Sequence, residues 1–153
     1  MWLRFSIIVF LFYFFAVLQT SFLAHFNIFG ITPNFILIFF FLLIFFSALG
    51  WENFFYAIIA GFFLDVSSHS YFGVSIILLL ILAFSIKKAL RILWHRSDKY
   101  SVLYFIPLFA AYFIAYNALL GLSLFNWIFI IAIMYNLSFA LAGFYICLKI
   151  NTR

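Results

Sequence analysis

The feature that most constrains this chain is an apolar run of 34 residues from Pro33 to Val66, broken only at Gly50-Trp51-Glu52-Asn53. As one α-helix it would be about 50 Å long. That exceeds the ~30 Å hydrocarbon core of a bilayer even with tilt. The run therefore reads as a helical hairpin, with arms over 33–49 and 54–66 and a turn at Gly50. Pro33 suits the start of the first arm, where a missing N–H costs least.

The same pattern recurs along the chain. Phe5 to Ala24 holds no charged residue and is long enough to cross a bilayer. A cleaved signal peptide with Arg4 as its basic region is the rival reading. The length of the run and the lack of an A-x-A site favour a retained helix. Further spans are expected over 74–90, whose apolar part ends at Ile86, over 102–120 and over 125–148. Pro107 lies near the start of the fifth, and Gly121 and Asn126 punctuate the turn before the sixth.

Composition excludes the alternatives. Hydrophobic residues make up 71% of the 153 and charged residues 7%. A soluble domain of this size buries only about 70% of the surface its unfolded chain exposes, too little to hide such a composition. A disordered chain and a peripheral membrane protein are excluded on the same ground. The expected fold is an all-α membrane protein, a compact bundle of six transmembrane helices in one domain over 1–153. The single cysteine, Cys147, allows no intramolecular disulfide.

Charge placement fixes an expected orientation. With the N-terminus cytoplasmic and six crossings, Arg4, Lys87, Lys88, Arg91, Arg96, Lys99, Lys149 and Arg153 all fall inside, as the positive-inside rule requires. If the short 54–66 arm did not cross, the central cluster of five would lie outside. Both termini are then cytoplasmic. Trp2, Trp51, Trp94 and Trp127 all fall at span ends, where interfacial tryptophans anchor.

Few residues can carry chemistry. Glu52 is expected in the inner turn, and Ser97 or Asp98 as a cap before the fifth span. Asp65 stands apart: Ala57, Gly61 and Asp65 recur at i, i+4 and i+8 on one helix face, so the acid closes a seam of small residues. It is either a functional group inside the bundle or a group that snorkels outward to cap its own helix or the turn Ser67-Ser68-His69. Asn136 shares a face with Ala132, Ala140 and Gly143, and Asn117 follows the small-residue face Ala111, Ala115, Ala118, both expected at helix interfaces. His25 and His69 have no metal-ligand spacing, and no nucleophile–base pair, P-loop or dinucleotide fingerprint occurs. The expectation is no enzyme, no metal and no cofactor. The stretch Ile86–Arg96 is amphipathic, with Lys87, Lys88, Arg91 and Arg96 forming a basic helix suited to an anionic membrane surface. In this setting basic excess implies lipids, not nucleic acid.

From Leu18 to Gly73 the chain resembles the MreD family of bacterial rod shape-determining membrane proteins. The matching features run in order: Leu18-Gln19-Thr20-Ser21 at the end of the first helix, Gly30-x-x-Pro33-Asn34 opening the second, Gly50 at the turn, Gly61-Phe62-Phe63-Leu64-Asp65 closing the third, and Gly73 before the fourth. Where relatives often carry a further glycine, this chain has Ala57, also small. The resemblance implies a non-catalytic scaffold of the cell-wall elongation machinery in the bacterial inner membrane. Its implied partners are an MreC-like bitopic protein, a SEDS-family glycosyltransferase, a class B penicillin-binding protein and the actin-like MreB. The residues it singles out are Asp65, Gly61 and Gly73, then Ala57, Gln19, Pro33 and Asn34. The competing expectation is the substrate-binding S component of an energy-coupling-factor vitamin transporter, which needs a polar outer pocket built from Asp65, His69, Asn34 and Asn126. A third is a structural subunit of a larger membrane complex.

Overall fold

The computed structural model describes residues 2–22, 25, 31–47, 50–68, 71–93, 101–119 and 127–151. These form six helices: α1 (Trp2–Ser21), α2 (Phe35–Phe46), α3 (Glu52–Ser68), α4 (Val74–Leu93), α5 (Ser101–Leu119) and α6 (Trp127–Asn151). Every regular element among the described residues is a helix. α1 and α6 are long and apolar enough to cross a bilayer, while α2 and the Phe105–Leu119 part of α5 are shorter apolar helices.

Helix limits differ from expectation in three places, each with a local cause. Pro33 does not begin α2; it is buried ahead of the cap. Asn34 is the N-cap, its Oδ1 accepting from the Leu37 N–H at 3.0 Å. At the other end the Ser47 backbone turns extended (ψ 151°) and donates its N–H to the Leu43 carbonyl at 2.8 Å, so α2 stops after 12 residues. α3 is longer than its 13-residue apolar core, because Glu52 lies in its first turn rather than in the preceding turn. An acid there complements the positive end of the helix dipole. α4 runs three residues beyond the expected end at 90, to Leu93, and carries Lys87, Lys88 and Arg91 in one helix.

α2 is the axis of the bundle. It touches α1, α3, α4 and α6, and Ile36, Leu37, Phe40, Phe41 and Ile44 on it are wholly buried. α3 and α4 form the most extensive helix pair; α5 packs on α4 and α6, and α1 on α2 and α3. The abundant phenylalanines fill the crossings. Phe41 meets Phe105 at 5.7 Å and Phe109 at 4.9 Å between ring centroids. Phe144 of α6 closes the group at 5.0 Å from Phe105 and 5.7 Å from Phe45. Offset and edge-on ring pairs of this kind add about 0.5–1.5 kcal/mol each beyond area burial.

Ring contacts also fix which helix ends lie together. Phe5 near the start of α1 faces Phe55 near the start of α3 at 6.5 Å, and Phe144 near the end of α6 faces Phe46 at the end of α2 at 5.2 Å. Lys87 of α4 reaches that same end of α2. All five described basic residues, Arg4, Lys87, Lys88, Arg91 and Lys149, therefore lie toward one end of the bundle, hereafter the Lys87 end. Asp65 lies at the other. Between the ends the outer faces are apolar: Phe10, Ile77 and Met134 are each more than 60% exposed. Two helix hydroxyls bond back to their own helix, Ser85 Oγ to the Ile81 carbonyl at 2.9 Å and Ser67 Oγ to the Phe63 carbonyl at 2.7 Å.

Candidate functional site

The Asp65 end is built on a helix that lacks its own cap. Gly73 precedes α4 with φ +98°, and its carbonyl accepts from the Ile77 N–H at 3.1 Å, which makes it the N-cap. A glycine has no side chain to accept from the first free N–H groups of the helix. Asp65, from the preceding helix, supplies that acceptor. Its Oδ2 accepts from the Gly73 N–H at 2.7 Å and its Oδ1 from the Ser75 N–H at 3.0 Å. The carboxylate is 3% exposed. It neither snorkels outward nor caps its own turn: it clamps α3 to the positive end of the α4 dipole.

The small residues make that reach possible. Ala57 and Ala60 are wholly buried. A Cβ built on Gly61 would lie 2.5 Å from Ile76 Cα and 2.7 Å from Ile76 N. The two backbones therefore touch one turn below Asp65, and a side chain as short as aspartate spans the gap. Gly61, Asp65 and Gly73 thus meet in a single joint between α3 and α4. Two further residues complete it that spacing did not single out. Ser75 is fully buried. Tyr112 of α5, also buried, lies beside Ser75 and stacks on Tyr116 at 5.8 Å. Ser75 is legible afterwards as the N2 residue of α4; nothing in the spacing links Tyr112 to Asp65.

A neutral clamp joins α6 to α2. The Asn34 backbone N–H donates to Asn136 Oδ1 at 2.6 Å, while Asn136 Nδ2 donates to the Ala132 carbonyl at 2.9 Å. Asn136 is 2% exposed, and Ala140 on the same face is wholly buried. Asn117 is different: it donates to the Phe113 carbonyl of its own helix at 2.9 Å, and the small residues Ala111 and Ala118 are exposed. Gln19 is half-buried, with Oε1 lacking a partner among the described residues.

The Lys87 end mirrors the first clamp with opposite charge. Lys87 Nζ donates to the Ile44 carbonyl at 2.7 Å, the Ser47 carbonyl at 2.8 Å and Ser47 Oγ at 3.1 Å. These are the open carbonyls at the negative end of α2. Ser47 Oγ also pairs with Asn53 Oδ1, and Asn53 Nδ2 donates to the Gly50 carbonyl at 2.9 Å, so the α2–α3 turn is held from α4. Lys87 was expected on a membrane-surface face; its ammonium instead turns inward, because the α2 carbonyls outcompete water at that position. Lys88 and Arg91 are exposed. Replacing Lys87 by methionine, which keeps the stem and removes the donors, is expected to destabilise the bundle by about 2–3 kcal/mol. An unfolding titration of the detergent-solubilised variant checks this.

His25 is exposed, its Nδ1 3.2 Å from the Ser21 carbonyl. In the outer pocket imagined for a vitamin-binding subunit, both Asp65 oxygens serve α4 and the Asn34 side chain serves α2. His69, Asn126, His95, Arg96, Ser97 and Asp98 lie outside the described residues. What the assembled groups do is mechanical: polar side chains of one helix, Asp65 and Asn136 buried and Lys87 half-buried, bond the backbone end of another, so three helix pairs are joined. Comparison with protein-family models, curated proteins and solved structures finds no match for this chain.

Proposed function

We propose that this chain is a non-catalytic membrane scaffold of the bacterial cell-wall elongation machinery, of the MreD kind. It crosses the inner membrane six times with both termini in the cytoplasm. It binds an MreC-like bitopic protein, and through it works beside a SEDS-family glycosyltransferase, a class B penicillin-binding protein and MreB. One observation carries the reading. Gly61, Asp65 and Gly73, which bear the resemblance and are dispersed over 13 residues, converge on one buried joint. Residues selected for packing, not for reaction, suit a part whose task is to hold a shape.

The gathering of Arg4, Lys87, Lys88, Arg91 and Lys149 at one end supports the orientation, since cytoplasmic loops collect basic residues. The apolar outer faces support burial in lipid and contact with other membrane helices. α2 is only about 18 Å long. It is covered by α1, α3, α4 and α6, so its neighbours satisfy what a short span leaves short of the bilayer. Depletion of the protein in its source cell tests the role. Rod-shaped cells are expected to widen and round within a few generations while the membrane stays intact; unchanged shape after complete depletion contradicts it.

A further inference from the structure

At the Lys87 end, a cleft of about 450 Å³ opens between the start of α3 and the last turns of α4. Trp51 and Phe54 form one wall, Phe84 the other, and Lys87, Lys88 and Arg91 the rim. Among the described residues no carboxylate lines it. Glu52, next in sequence to Trp51, is engaged by the Tyr56 hydroxyl at 3.4 Å. We propose that this cleft is a binding site for an anionic phospholipid, with the phosphate held by Lys88 and Arg91. The inference rests on the membrane-embedded part of the reading above and not on the wall-synthesis role.

Three features select a lipid over another anion. The first is charge: three cations converge on one rim. Lys87 is held in place by the α2 carbonyls, so it adds positive potential without moving, while the exposed Lys88 and Arg91 reach the ligand. The second is the wall. A free phosphate is best met by polar donors all round, whereas here two sides are aromatic. The third is continuity. Lys88 and Phe84 share a helix face with Ile81 and Ile77, spaced four, three and four residues apart, and Phe54 shares one with Ile58 and Phe62. Ile58, Phe62, Ile77, Ile81 and Phe84 are all exposed. The rim therefore passes without a polar break into an apolar track that suits acyl chains. Trp51, 83% exposed at the mouth, has the amphipathic ring that sits at headgroup level.

The full chain is purified into nanodiscs of phosphatidylcholine and phosphatidylglycerol, released into mild detergent and weighed with its retained lipid by native mass spectrometry. Phosphatidylglycerol is expected to be retained in preference to phosphatidylcholine. Lys88→Gln with Arg91→Gln is expected to reduce that retention roughly 25-fold, at about a fivefold loss for each surface charge. The exchange Lys88→Arg with Arg91→Lys keeps both charges and is expected to keep the lipid, which separates charge from misfolding. Excess inorganic phosphate is expected not to displace it. Equal retention of the two lipids, retention unchanged in the double glutamine variant, or displacement by inorganic phosphate overturns the proposal. Extraction of the chain from its membranes by alkaline carbonate overturns the membrane reading and the lipid site with it; a chain that resists extraction but shows no lipid preference loses only the lipid site.

Discussion

Asp65→Ala is expected to destabilise the protein by about 3 kcal/mol or more and to abolish support of rod shape, without preventing membrane insertion. The substitution removes the acceptor of two backbone N–H groups, at 2.7 Å and 3.0 Å, from a site 3% exposed. Hydrogen bonds to a charged partner contribute about 1.5–3 kcal/mol each, and the loss is largest when the abandoned donors stay buried. Gly73 has no side chain to take over, so the first turn of α4 loses its cap as well. Asp65→Asn is expected to retain part of this. An amide offers one acceptor and one donor, so one of the two N–H groups then faces another donor, and a loss of about 2 kcal/mol follows. The order wild type, Asn, Ala in an unfolding titration checks the clamp. An alanine variant as stable as wild type, in cells that stay rod-shaped at normal protein level, refutes it.

Gly61→Leu carries the second large effect. The atoms that even a methyl group would strike are the Cα and N of Ile76, at 2.5 Å and 2.7 Å, with the side-chain Cγ1 at 2.9 Å. Backbone cannot swing aside, so α3 and α4 must separate. Gly61→Ala is expected to cost about 2 kcal/mol, within the ordinary range of overpacking, and Gly61→Leu more than about 3 kcal/mol, beyond it. Separation also lifts Asp65, one turn on, away from Gly73 and Ser75. The two sites therefore couple: the double variant Gly61→Leu with Asp65→Ala is expected to lose clearly less than the sum of the single losses. Gly143 provides the contrast. A Cβ there meets Leu42 Cδ1 at 2.8 Å, the tip of a flexible side chain, and Gly143→Ala is expected to stay within about 1 kcal/mol of wild type.

The contrast between these glycines shows what was legible in the sequence. Uncharged runs located all six helices, because helix length and apolarity are local properties of the chain. The Ala57, Gly61, Asp65 face was legible for the same reason: a period of four places residues on one side whatever lies opposite. What lies opposite was not legible. Whether Asp65 turned outward or inward depended on Gly73 being the cap of the next helix, a fact of three dimensions that a hydropathy pattern does not carry. Lys87 was hidden similarly. On a helical wheel it belongs to the basic face, and only the short α2, ending at Phe46, brings open carbonyls within its reach. Tyr112 had no signal, since it joins the Asp65 joint from α5 across a distance set by packing alone. Asn34 and Asn136, 102 residues apart, were each legible as polar groups in apolar helices, but not as partners.

The scaffold role is tested most directly by purifying the tagged full chain from its own membranes in mild detergent and identifying by mass spectrometry what is bound to it. An MreC-like bitopic protein, with or without a SEDS-family glycosyltransferase and a class B penicillin-binding protein, is the expected companion, and its recovery is expected to fall with Gly61→Leu. Recovery instead of a transmembrane coupling subunit with paired ATPases, and of no wall-synthesis protein, contradicts the scaffold role and makes the chain a substrate-binding subunit of a transporter.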